Sequence, residues 1–170
     1  MGKSEDVEDF RKRCLKLLTS IRRDFSDLEG VKVRFIIGNI KVLGGKASMW
    51  ASWLFGIYII KVDYEKWKNA TDKQITGGLA HELCHCAYFK KTNIIILGVN
   101  GLRYYTSRKF FSKFETENDL STIRRGYGNE LLASTSYRLM NLDKKGQIFK
   151  LQHYLSPKEI KFYLKKYKQK

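Results

Sequence analysis

Apolar residues at helical spacing open the chain. Phe10, Cys14, Leu17, Leu18, Ile21, Phe25 and Leu28 recur on one face between lysines and arginines, predicting an amphipathic helix over residues 4–27. Glu29-Gly30 ends it. Over residues 31–37 the period drops to two, Val31, Val33, Phe35 and Ile37 alternating with Lys32 and Arg34, as in a half-buried strand. Gly38-Asn39 reads as a turn, and residues 41–51 as a second strand interrupted by Gly44-Gly45. Residues 53–62 are apolar on both faces and predict a strand covered on both sides. A short helical turn over residues 64–68 leads to a long helix from Asp72 to about Phe89. Thr71-Asp72-Lys73-Gln74 caps that helix, and Leu79, Leu83 and Ala87 give it an apolar stripe.

The second half reads as mainly helical. Residues 93–99 suit a strand or a packed loop, and residues 102–114 one helix with aromatics inside and cations outside. Helices follow over residues 118–125 and 129–142, separated by Gly126-Tyr127-Gly128. Ser156-Pro157-Lys158-Glu159 starts a last helix, to about Tyr167, with Ile160, Tyr163, Leu164 and Tyr167 on one face. Residues 146–156 carry no strong signal; they read as a connector for the last helix or a strap across a cleft. No repeat or domain boundary is visible. The expectation is one α+β domain over residues 1–170: a small antiparallel or mixed sheet on the central helix, with a mainly helical C-terminal half.

The central helix contains His81-Glu82-Leu83-Cys84-His85, an HExxH pattern. Residues four apart share a helix face, so both imidazoles can point at one metal ion. Glu82 lies about 100° round the helix, beside the ion, where it can accept a proton from a water. Gly77 and Gly78 each cost a helix about 1 kcal/mol relative to Ala. They either let a neighbouring element approach the metal side or are merely tolerated.

Composition narrows the setting. A chain of 170 residues with 14% aromatics and one proline can bury its own core without Pro-rich linkers. Its net charge of +16 would suit nucleic acid or an anionic surface. Nucleic acid is not the favoured partner, because the lysines are spread along the whole chain as in a solvated shell. Arg103, Arg108, Lys109 and Lys113 interleave with Tyr104, Tyr105, Phe110, Phe111 and Phe114, a mixture that could stack bases or rest on a membrane. Cys14, Cys84 and Cys86 form no disulfide framework. With no signal peptide and no apolar stretch long enough to span a bilayer, a soluble cytoplasmic protein is expected.

A catalytic zinc usually has three protein ligands. His153 could supply the third, and Glu130 is the better candidate because it opens a later helix. With that order of elements the chain resembles the gluzincin zinc metallopeptidases, most of all the minigluzincins and the catalytic core of CAAX-prenyl-protease-like peptidases. The resemblance implies a zincin-like fold with Zn²⁺ on His81, His85 and Glu130. It implies a zinc-dependent endopeptidase acting on unfolded or extended polypeptides, with Glu82 as general base. Four residues past the glutamate ligand such enzymes commonly carry Asp, bracing a histidine; Ser134 stands there. The Ala133-Ser134 pair is similar to ImmA/IrrE-type regulatory peptidases. Tyr137, His153 or Tyr127 would stabilise the oxyanion. In the resembled group substrate adds to the strand before the metal helix, here Gly56, Ile57, Tyr58 and Ile59. The alternative function is a basic nucleic-acid-binding protein with a structural or vestigial metal.

Overall fold

The structure is a computed structural model that describes residues 6–40, 47–54 and 56–168. Helix α1 (Val7–Arg22) buries Phe10, Cys14, Leu18 and Ile21, and the Asp6 carboxylate caps it by accepting the Asp9 N–H at 2.8 Å. It is shorter than residues 4–27, because the backbone leaves helical geometry at Phe25 (φ −109°, ψ 65°). A 3₁₀ turn, Ser26–Leu28, continues the apolar face and buries Leu28.

The strands are β1 (Val33–Ile37), β2 (Met49–Leu54) and β3 (Ile57–Val62), in the order β1-β3-β2. β1 runs parallel to β3 and β2 antiparallel, so the sheet is mixed. Residues 53–62 are therefore not one strand. The chain reverses between Leu54 and Ile57, which pair, and Gly56 supplies the φ of 80° that other residues rarely adopt. β3 buries Tyr58, Ile60 and Val62 on one face, while Ile57, Ile59 and Lys61 are only half-buried on the other. The second strand begins at Met49; residues 41–46, with the Gly44-Gly45 interruption, lie outside the described residues.

Helix α2 (Tyr64–Trp67) buries Trp67, whose indole N–H donates to the Ser48 carbonyl at 3.1 Å. Helix α3 (Asp72–Lys91) starts at the expected capping box, with Thr71 and Gln74 each bonded to the other's backbone. Every residue from Gly77 to Ala87 is buried. The two glycines are close-approach positions. A Cβ at Gly77 would stand 2.0 Å from the Glu130 carbonyl oxygen, and one at Gly78 2.6 Å from Met49 Sδ.

The C-terminal half comprises α4 (Ile94–Thr106), α5 (Arg108–Thr122), α6 (Gly128–Met140), α7 (Lys144–His153) and α8 (Pro157–Lys168). Residues 93–99 are the capped start of α4, with the Asn93 side chain accepting the Ile95 N–H at 2.9 Å. The helix expected over residues 102–114 breaks at Ser107, which ends α4 and caps α5. α5 passes into α6 through a π turn, Ile123–Tyr127, where Gly126 takes φ 91°. Most of residues 146–156 is helical as α7, capped by Asp143. One core lies between α1, the sheet and α3; a second, of Leu120, Ile123, Leu131, Leu155 and Ile160, lies under α8.

Candidate metal centre

Two helices supply the centre. α3 presents His81 and His85 one turn apart, and α5 presents Glu115 opposite them. His81 Nε2 lies 3.1 Å from His85 Nε2 and 3.2 Å from Glu115 Oε2, and His85 Nε2 lies 3.5 Å from the same oxygen. All three residues are buried. Among the described residues these are the ones whose ligand atoms gather as a metal ion requires.

α5 can face α3 because its buried side is polar: Glu115, Asn118, Asp119 and Thr122 recur at helical spacing. Buried polar groups need partners. Asn118 and Thr122 donate back to the Phe114 and Asn118 carbonyls of their own helix, both at 2.8 Å. Asp119 Oδ1 lies 2.9 Å from His81 Nδ1, at hydrogen-bond length though off the ring N–H axis. Its other oxygen accepts the Leu155 N–H at 2.9 Å. From α4, the Tyr104 hydroxyl donates to Glu115 Oε1 at 2.5 Å. Aromatic rings complete the wall: Phe114 lies 5.2 Å from the His85 ring and Tyr154 6.1 Å from the His81 ring.

Burial lowers the affinity of His81 for a proton, but Asp119 and Glu115 outweigh it and raise its pKa to about 10. Burial likewise disfavours the Glu115 carboxylate, yet His85 and His81 hold its pKa well below the ordinary value. Without a metal, His81 therefore holds a proton more tightly than an ordinary histidine, beside the carboxylates of Asp119 and Glu115. Deprotonated, the centre offers two imidazole nitrogens and a carboxylate oxygen, a donor set that fits a divalent ion. Glu82 is buried on the same helix, close enough for its charge to add to the rise at His81.

A family model described as "Putative phage metallopeptidase" matches residues 3–110. The chain belongs to that family. The match takes in α3 with His81, Glu82 and His85, and stops short of Glu115. Comparisons with curated proteins and with solved structures return no match. Membership in a metallopeptidase family gives the buried triad its meaning: a metal-dependent peptidase, hence an enzyme with a peptide substrate.

Several expected site residues lie elsewhere in this metallopeptidase. Glu130 is not in the ligand group; its backbone seats α6 on Gly77. Ser134 is buried on α6 with no hydrogen-bond partner for its hydroxyl among the described residues, and the carboxylate beside His81 is Asp119. The Tyr137 hydroxyl donates to the Lys66 carbonyl at 3.1 Å and its ring packs on Trp67, joining α6 to α2. His153 packs between Phe149 and Phe111 and is not in the ligand group found among the described residues. Tyr127 donates to Asp24. Gly56 lies in the turn before β3, and Ile57, Tyr58 and Ile59 cannot offer a free edge, because β3 is the central strand with a neighbour on each side. Glu115, Asp119, Tyr104 and Tyr154 are the residues that sequence reasoning missed. Their one signal was the spacing of four between Glu115 and Asp119, the spacing sought at Glu130 and Ser134.

Proposed function

We propose that the protein is a zinc-dependent endopeptidase of the gluzincin type, acting on unfolded or extended polypeptides. The observation that carries this is the ligand triangle. Tetrahedral zinc with bonds of about 2.0–2.1 Å sets its ligands about 3.3 Å apart. The three edges are 3.1, 3.2 and 3.5 Å. The pair Glu115 and Asp119 also supplies the bracing aspartate that the gluzincin resemblance calls for.

Zinc held there would act as a Lewis acid toward a peptide carbonyl and lower the pKa of an attacking water toward about 7. The remaining work belongs to side chains. Glu82 accepts the proton of the attacking water and passes it to the leaving amine. Asp119 orients His81, and Tyr104 fixes the second oxygen of Glu115. Tyr154, whose ring lies 6.1 Å from that of His81, is assigned the donor to the developing oxyanion, in place of Tyr137 and His153.

Substrate would add as an extended segment to β2. Among the described residues β2 is an edge strand, and its Met49 packs on Gly78, one turn before Glu82.

Glu82→Gln tests the reading. The variant should keep the wild-type zinc content while cleavage of a denatured protein falls about 10²–10⁴-fold. Cleavage at the wild-type rate would sink the assignment.

A further inference from the structure

Helix α4 is built inside out. Its inward side carries polar groups: Asn100 Nδ2 donates to the Tyr88 hydroxyl at 2.6 Å, and Tyr104 holds Glu115. Its outward side is apolar: Ile94, Ile95, Ile96, Val99, Leu102 and Tyr105 are each between 53% and 75% exposed. No residue of the helix is buried. Exposed apolar faces of this extent on a folded domain mark a contact surface.

The surroundings say what kind of surface. Residues 83–114 contain no Asp or Glu, while Arg103, Arg108, Lys109 and Lys113 stand on or just after α4. The whole chain carries +16. An apolar helix face flanked by cations is the chemistry of the interface between acyl chains and anionic headgroups. A second copy would bring the same cations against these, and like charges disfavour that pairing. Nucleic acid would ask for stacking rings or hydrogen-bond donors where α4 offers mainly aliphatics. Thirteen residues make a helix of about 20 Å, short of the roughly 30 Å of bilayer hydrocarbon. No described helix is long and apolar enough to cross a membrane. The remaining geometry is a helix lying flat.

We propose that α4 docks this protein on an anionic lipid bilayer, its aliphatic face in the acyl boundary and the neighbouring cations on the phosphate headgroups. Because Tyr104 on the opposite side of α4 bonds Glu115, the docked helix holds the metal centre at the membrane surface. Polypeptides emerging from or lying on the bilayer would then be the ones presented to it. The docking surface, α4 with the cations at the start of α5, is independent of the peptidase reading.

The test is flotation of the metal-loaded full chain with two kinds of vesicle: phosphatidylcholine alone, and an equal mixture of phosphatidylcholine and phosphatidylglycerol. Wild type should float with the mixed vesicles, far less with the neutral ones, and less as salt rises. Ile95→Glu with Leu102→Glu, both at exposed positions, should bind the mixed vesicles at least about tenfold more weakly. A Tyr105→Trp variant should shift its added emission to the blue on the mixed vesicles only. Three results would overturn the proposal. Wild type could fail to float with either vesicle. The double variant could float like wild type, leaving surface charge alone as the cause. Or sedimentation could find a wild-type dimer that the double variant breaks, assigning the face to a second copy.

Discussion

At the residue scale, Glu115 and Asp119 work as a pair one turn apart, one toward the metal and the other toward the histidine that holds it. Glu115→Gln removes a charged donor and should strip most of the metal. Asp119→Asn should weaken metal binding about 10–100-fold, the usual cost of losing a partner behind a ligand. Glu130→Gln and His153→Ala should leave metal content unchanged, since neither belongs to the ligand group. Metal analysis after dialysis separates these cases. The raised His81 pKa also sets a pH dependence. In the metal-free chain its stabilisation is fully present below 6.5 and is lost as pH rises through about 10. The metal needs the same nitrogen unprotonated, so over that interval affinity should rise with pH, by up to about tenfold per unit. Thermal unfolding of metal-free and metal-loaded protein should therefore diverge as pH increases. His81, Glu82 and His85 were legible from sequence because the spacing of four has one geometric meaning on a helix. Glu115 was not: on an amphipathic helix a carboxylate reads as solvated. Only the partners on α3 and α4 reveal that the stripe Glu115, Asp119 and Thr122 faces inward.

At the scale of elements, caps and periods were reliable guides. Thr71 with Gln74 and Ser156 with Glu159 start α3 and α8 where expected, through bonds made within four residues. Elements whose character depends on distant neighbours were harder. Residues 53–62 look like a single apolar strand because the apolar end of β2, Trp53 and Leu54, runs through Gly56 into the largely apolar β3. The start of α4 reads as a strand or a packed loop because its isoleucines, though exposed, are β-branched. Gly77 shows how contact overrides propensity. Alanine there would gain about 1 kcal/mol in helix propensity. Its methyl would also stand 2.0 Å from the Glu130 carbonyl oxygen, which belongs to a helix backbone and cannot rotate aside. Gly77→Ala should therefore destabilise the fold by roughly 1–3 kcal/mol or more, read from the midpoint of urea unfolding. An unchanged midpoint would mean that α6 is free to move off α3. Gly98→Ala in α4, where a Cβ meets nothing within 4 Å among the described residues, is the control and should be mildly stabilising.

At the scale of the whole molecule, the metal centre is wired to the junction of α7 and α8. Asp119 spans the distance, one oxygen toward His81 and the other on the Leu155 N–H. Leu155 and Ile160 are buried with Leu120, Ile123 and Leu131, and Leu164 covers Gly128 at the start of α6. In sequence, residues 146–156 read as a connector or as a strap restraining the cleft. Their folding as α7, with His153 among Phe111 and Phe149 rather than on the ligands, favours the connector. Magnitudes point the same way. Each large apolar side chain withdrawn from water contributes about 1.5–3 kcal/mol, and a domain holds only about 5–15 kcal/mol in all. Deleting everything from Gly146 onward removes Leu155, Ile160 and the cover of Gly128 together, and leaves Asp119 without its backbone donor. The truncated chain should lose cooperative unfolding and its metal in the same step, followed by circular dichroism and metal content on one sample. A folded, metal-loaded truncation that cleaves substrate faster than the full chain would restore the strap. It would also require the core beneath α8 to be dispensable, against the complete burial of Ile160.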